Sequence, residues 1–263
     1  RWASRTSWIE ASCPCCGEER SDPAFDRLGV PYVEGLSCGT LYARSRPDAT
    51  ELRDWYRDSA PARFWRDHML RASRETRLSK IVRPRAQWIR DGIAEYTEGV
   101  SRLVDISSNG RALVDVVVSD FPDLEARILG SAADLEAPSA ERVSVQPDGV
   151  AGLISGEPAD LVTAIDAFDR APDLRGLVGG VWKALSAEGI LFATIPVASG
   201  FEIQALWGRS PSILPPDKLN LPSIDGILRL FSAPDWEVLE LSTPGMFDVE
   251  IVRTAIADSP AGD

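Results

Sequence analysis

Three thiols fall within four positions at Cys13, Cys15 and Cys16, and a fourth follows at Cys38. Clustered cysteines either bridge in oxidising compartments or hold metal in reducing ones. No cysteine follows Cys38, so no disulfide can staple the long remainder of the chain. That pattern fits a reducing cytoplasm and a thiolate metal site. The chain has a single histidine, His68. One imidazole excludes a multi-histidine metal centre, and a Ser-His-Asp arrangement would have to run through a residue in a basic, helical stretch. No glycine-rich phosphate loop of the Walker type is present. The remaining reactive groups are acids beside small or basic residues. Asp105 precedes Ser107, Ser108, Asn109 and Gly110, while Asp169-Arg170 and Asp217-Lys218 are acid–base neighbours.

Three stretches must position these groups. Residues 1–46 are loop-rich, punctuated by Pro14, Gly17, Pro23, Gly29, Pro31, Gly35 and Gly39, and too short to own much core. Residues 47–98 read as helical. Leu52, Trp55 and Tyr56 share one face, Phe64, Trp65, Leu70, Leu78 and Ile81 follow, and Pro84 is expected to break or kink the run. Trp88, Ile89, Ile93 and Tyr96 continue at helical spacing and read as packing residues.

Residues 99–263 alternate buried apolar runs with helical patterns. The runs are Leu103–Ile106, Ala126–Gly130, Leu161–Ile165 and Ile190–Ile195, and a helical stripe through Leu174–Leu185 ends at Gly189. Alternation of this kind predicts right-handed crossovers and a doubly wound, mostly parallel sheet. Trp236–Leu241 and Val249–Ala255 read as two strands joined by a connection too short for a helix, so an antiparallel closing hairpin is expected.

The net charge of −12 argues against nucleic acid, which selects a basic stripe. The densest basic region, Arg71–Arg85, has the spacing of a solvated helix face. No run of eighteen apolar residues suggests a membrane span. The first ten residues lack a secretion-signal pattern; with no initiator Met, an earlier targeting segment is left open. A small molecule is the expected partner, in a homo- or hetero-oligomer or alone.

The order of elements resembles the class I S-adenosylmethionine-dependent methyltransferases. Arg102-Leu-Val-Asp-Ile-Ser-Ser-Asn-Gly-Arg111 resembles the family's first strand and glycine loop. Ala159-Asp-Leu-Val-Thr-Ala-Ile-Asp166 resembles the fourth strand, and Ala184-Leu-Ser-Ala-Glu-Gly-Ile-Leu-Phe192 the turn into the fifth. Cys13-Pro-Cys-Cys16, Cys38-Gly-Thr-Leu-Tyr42, Pro84-Arg-Ala-Gln-Trp-Ile89 and Ser242-Thr-Pro-Gly-Met-Phe-Asp-Val-Glu-Ile-Val252 resemble a subgroup with a zinc-ribbon-like N-terminal segment. That subgroup includes sugar and natural-product methyltransferases.

The resemblance implies a seven-stranded Rossmann-like sheet ending in a hairpin, with S-adenosylmethionine held by Asp105, Ser107, Asn109 and Gly110. Asp134 is the candidate for the ribose hydroxyls. Cys13, Cys16 and Cys38 would bind zinc, with Gly35 standing where a fourth cysteine belongs and Cys15 or Glu34 as possible substitutes. The family's acid–histidine pair after the fourth strand is Asp169-Arg170 here, and its Pro-Pro-Asp-His-like string is Pro215-Pro-Asp-Lys218. With both histidines replaced, Asp169, Asp217 and Tyr56 are the candidate catalytic groups, and Arg170 and Lys218 could anchor an anionic substrate. Two other readings stay open. One is a methyltransferase-fold protein that has left methyl transfer for a cyclisation or rearrangement. The other is a non-catalytic partner that stabilises a related active subunit. Independently of these, the cysteine module could be a relic that has lost its metal.

Overall fold

The computed structural model describes residues 8–108, 110–130, 141–146, 149–232, 236–243 and 248–258. The chain divides into two compact units. One joins Arg1–Ala49, Asp169–Arg175 and Ile195–Asp263; the other joins Thr50–Phe168 and Gly176–Thr194.

The chain opens with short strands β1 (Trp8–Glu10), β2 (Ser21–Arg27), β3 (Val30–Gly35), β4 (Leu41–Ala43) and β5 (Ser45–Pro47). Helix α1 (Ala49–Asp58) follows. A long helical run comes next: α2 (Ala60–Phe64), a π turn, α3 (Leu70–Ala72), α4 (Arg74–Arg77), a second π turn and α5 (Arg83–Tyr96). Pro84 does not break this run. It sits in the first turn of α5, directly after the π turn at Leu78–Val82, where the helical hydrogen-bond register changes.

The alternating half contains β6 (Arg102–Asp105), α6 (Arg111–Asp120), β7 (Glu125–Leu129), β8 (Val143–Gln146), β9 (Ala159–Ile165), α7 (Leu174–Ala184) and β10 (Leu185–Thr194). The chain then forms α8 (Phe201–Leu206), β11 (Asn220–Leu221), α9 (Ile224–Leu230) and α10 (Asp248–Ala257).

The unit containing the alternating half is built on a five-stranded sheet of order β10-β9-β6-β7-β8. Every neighbouring pair is parallel. Counted along this sheet's own strands, the order is 3-2-1-4-5, the doubly wound arrangement. The near-continuous apolar runs in β6 and β9 suit strands buried on both faces. Leu113, Val114, Val117 and Val118 of α6 and Ala86, Ile89 and Ile93 of α5 join the same core. Trp88 meets Phe192 edge-on at 5.0 Å, and Gly92 gives Phe192 room, since a Cβ there would lie 2.6 Å from Cζ.

The other unit holds a four-stranded antiparallel sheet, β11-β4-β3-β2. Leu28 and Gly29, both at positive φ, form the two-residue turn of the β2–β3 hairpin. Arg46 is buried inside this unit. Its guanidinium donates to Ala43 O at 2.7 Å and to Asn220 Oδ1 at 2.8 Å, and burial lowers its pKa to about 10. Asn220 Nδ2 donates in turn to Ala171 O at 2.8 Å, tying the segment after β9 to β11.

Two expectations need correction. The closing hairpin is absent among the described residues: 236–243 form no strand, and Val249–Ala255 lies within α10. A strand needs a neighbour's hydrogen bonds, whereas a helix satisfies its own. Asp248 and Glu250 in the first turn favour the helix dipole, and α10 packs on α8. The described sheet therefore has five strands instead of seven. The helix through Leu174 also ends earlier, at Ala184. Gly189 sits in β10 at a register shift, where a Cβ would come within 2.8 Å of Ala159 O.

Candidate functional site

In doubly wound sheets the ligand crevice lies outside the carboxyl ends of the strands, where the strand order reverses. Here that point is between β6 and β9. Asp105 closes β6 and is fully buried. Its Oδ1 accepts from Ser107 Oγ at 2.5 Å and from Thr163 Oγ1 at 2.6 Å. Ser107 Oγ also accepts from the Ile165 N–H at 2.9 Å, and Ser108 N–H donates to Ile165 O at 2.9 Å. The loop after β6 is thus stitched to the end of β9. Gly110 caps α6 with an ordinary helical φ of −69°. It is needed for space, because a Cβ there would lie 1.9 Å from Asp105 Oδ2. Asp105 shapes the loop from within. Asn109 and Asp134 lie outside the described residues.

Asp166 closes β9 on the same edge, and the expectations from sequence missed it. Its φ is +53°, a conformation uncommon for a side-chain-bearing residue and concentrated at functional sites. Arg85 of α5 donates to both carboxylate oxygens, at 2.9 and 3.4 Å. Thr194 Oγ1, at the end of β10, donates to Oδ1 at 3.1 Å. About one third of the Asp166 side chain stays exposed (34%). The available signal was an acid closing a buried strand; the backbone strain and the Arg85 fork are tertiary and leave no local trace.

Four of the expected substrate and catalytic residues come together in the other unit. Lys218 Nζ pairs with the fully buried carboxylate of Asp169, and Arg170 lies 3.7 Å from Asp217. The Leu219 N–H donates to Asp169 O at 2.7 Å, so the two segments are also joined by backbone. Tyr56 is on α1 in the unit with the parallel sheet, edge-on to Trp55 at 5.0 Å.

The thiols of Cys13, Cys16 and Cys38 lie within 4.8 Å of one another. Tetrahedral zinc with Zn–S of about 2.3 Å requires sulfurs about 3.8 Å apart, and Cys13 and Cys38 already stand at 3.5 Å. Three corners of such a site fit. Among the described residues no carboxylate, imidazole or fourth thiol joins the group, Cys15 and Glu34 included. Burial pushes the Cys13 and Cys15 thiols up to about 12. For Cys16 the upward push of burial is outweighed by the Glu18 backbone, the neighbouring thiols and Arg229, so its pKa falls.

No family model matches the chain, and no curated protein matches it. Solved structures of methyltransferases are similar to it. The sugar N-methyltransferase KedS8 from Streptoalloteichus is 22% identical over 44% of this chain and 49% of its own, with a TM-score of 0.38. Coclaurine N-methyltransferase, bound to N-methylheliamine and SAH, is 14% identical over 65% and 55%, with a TM-score of 0.46. The plantazolicin methyltransferase BpumL, with SAH and a pentazolic substrate analogue, is 9% identical over 81% and 91%, with a TM-score of 0.49. The chain spans about half the length of the first two. Among the described residues no helix is long and apolar enough to cross a membrane.

Proposed function

We propose that the chain is an S-adenosylmethionine-dependent methyltransferase acting on a small molecule of sugar or natural-product type. The observation that carries this reading is the β6–β9 edge. There the 3-2-1-4-5 order opens, a loop of small residues is braced by Asp105, and a strained, partly exposed carboxylate stands at Asp166.

Bound at that edge, the cofactor supplies an activated methyl group. Ser107, Asn109 and Gly110 would hold its amino acid end, with the loop shape set by Asp105, and Asp134 would take the ribose. Asp166 is the group we assign to the acceptor's proton. Arg85 and Thr194 fix its two oxygens. Asp169 and Lys218 form a buried tie, and Arg170 and Asp217 are the more exposed pair for recognising polar groups of a substrate. Tyr56 remains a candidate catalytic group. The three clustered thiols are assigned to zinc, in a reducing compartment such as the cytoplasm.

One observation favours a cofactor-free reaction on the same scaffold: Asp105, expected to face the cofactor, is fully buried and bonded to Ser107 and Thr163. Calorimetric titration with S-adenosylmethionine and with S-adenosylhomocysteine separates the two. Methyl transfer requires binding in the micromolar range or tighter, about −8 kcal/mol. No heat from either ligand would sink the methyltransferase reading and leave the cofactor-free one.

A further inference from the structure

The two turns that carry the cysteines are one turn used twice. In the first, the Cys13 N–H donates to Glu18 O at 2.9 Å and the Gly17 N–H to Cys13 O at 2.9 Å. In the second, the Gly35 N–H donates to Thr40 O at 2.9 Å and the Gly39 N–H to Gly35 O at 2.9 Å. Gly17 and Gly39 both hold left-handed backbone, at φ +76° and +66°. Position 13 therefore corresponds to 35, 16 to 38, 17 to 39 and 18 to 40. Cys16 and Cys38 offer thiols from equivalent places, and the counterpart of Cys13 is Gly35.

The counterpart position faces the Cys13 sulfur. A Cβ on Gly35 would lie 3.4 Å from Cys13 Sγ, an ordinary contact, and Gly35 is not among the glycines with left-handed backbone. The framework has four corners and three side chains. Cys16, the most exposed of the three thiols, lines an open depression of about 430 Å³ together with Glu18, Arg20, Ser37 and Arg229. Solvent therefore reaches the Cys16 thiol, while Cys13 and Cys38 are buried. Closed four-ligand zinc sites are structural, whereas three-ligand sites keep an exchangeable position.

We propose that Cys13, Cys16 and Cys38 hold zinc through three thiolates and leave the fourth corner to an exchangeable ligand, a water that an external small thiol displaces. This rests on the zinc assignment above. The thiol binds as its thiolate, its proton and the displaced water passing to solvent. Sulfur suits a corner whose geometry was built for a cysteine.

The test loads the full chain with cobalt(II) as a spectroscopic stand-in and titrates it with 2-mercaptoethanol, following the cobalt d–d bands. The expected result is one metal per chain and bands that shift saturably with added thiol. Gly35→Cys should show the thiol-saturated spectrum without any addition, ignore added thiol, and hold metal against a chelator about tenfold more tightly or better. The wild-type titration stands alone if that variant fails to fold. Metal uptake with bands indifferent to thiol overturns the exchangeable corner and leaves the zinc assignment intact. No metal uptake overturns both.

Discussion

Gly110 and Gly35 each stand where a resembling family's pattern is thin, and they are opposite cases. At Gly110 the space of the absent side chain is filled, because the Asp105 carboxylate lies within 1.9 Å of where a Cβ would be. At Gly35 a Cβ would meet Cys13 Sγ at 3.4 Å and Thr40 O at 3.7 Å, ordinary contacts that need nothing to move. The first glycine is a requirement of packing, since the loop closes only without a Cβ. The second leaves room for a Cβ at ordinary contact distance and, on the zinc proposal, stands where a fourth ligand would be. A glycine in a motif thus says little until what occupies its missing volume is known.

The largest expected effect breaks the filled side of the contrast. Asp105→Ala strands the Ser107 and Thr163 hydroxyls inside the unit. Unsatisfied buried groups cost about 1–3 kcal/mol each, so a loss of about 3 kcal/mol is expected in urea unfolding. A variant as stable as the parent would mean that Asp105 does not brace the loop, and would return it to the role of a ligand contact.

Next comes Asp166, the open carboxylate on the same edge. Asp166→Asn keeps the shape but cannot accept a proton, and proton transfer by a positioned side chain is worth about a hundredfold or more in rate. A fall of that size in methyl transfer is expected, together with loss of the acidic limb of the pH–rate profile. Unfolding stability should change by less than about 1 kcal/mol, as for a partly exposed ion pair. An unchanged pH profile would reduce Asp166 to an anchor for α5.

The glycine pair gives a direct comparison of smaller size. Gly110→Ala must push the Asp105 carboxylate aside, an overpacking cost of about 2 kcal/mol. Gly35→Ala meets only ordinary contacts and should cost less than about 0.5 kcal/mol. Equal costs in parallel denaturant titrations would erase the distinction between the two glycines.

The sequence makes some of this visible and hides the rest for physical reasons. The strands β6 and β9 are legible because burial on both faces favours near-continuous apolar runs, whereas their order in the sheet is set by tertiary pairing. The two-turn cysteine framework is legible because local hydrogen bonds fix residue spacing. The segment Val249–Ala255 misleads, because its β-branched residues suit a strand while its helix is settled by packing on α8 and by acids at the first turn. Asp166 is invisible because its importance comes from Arg85, 81 positions away, and from a backbone angle that no neighbour encodes. The pairing of Asp169 with Lys218 is equally non-local, joining segments 49 positions apart.

The smallest effect concerns the opposite end of the same sheet, where a carboxylate does structural work alone. Asp160 accepts from the Ser101 N–H at 3.0 Å, the Ser101 hydroxyl at 2.8 Å and the Arg102 N–H at 3.0 Å. Burial pushes its carboxyl up, and these donors overcome that push and hold its pKa below the ordinary value. A depressed folded-state pKa adds stability that is fully present above the unfolded-state pKa. That stability is lost as pH falls through the folded value. Asp160→Asn should therefore lie below the parent in stability at pH 7, with the gap narrowing as pH falls below the ordinary carboxylate range. Urea midpoints across that range measure it. A gap that stays constant with pH would show that the carboxylate's charge is irrelevant there, and that the amino end of the sheet is held by hydrogen-bond shape alone.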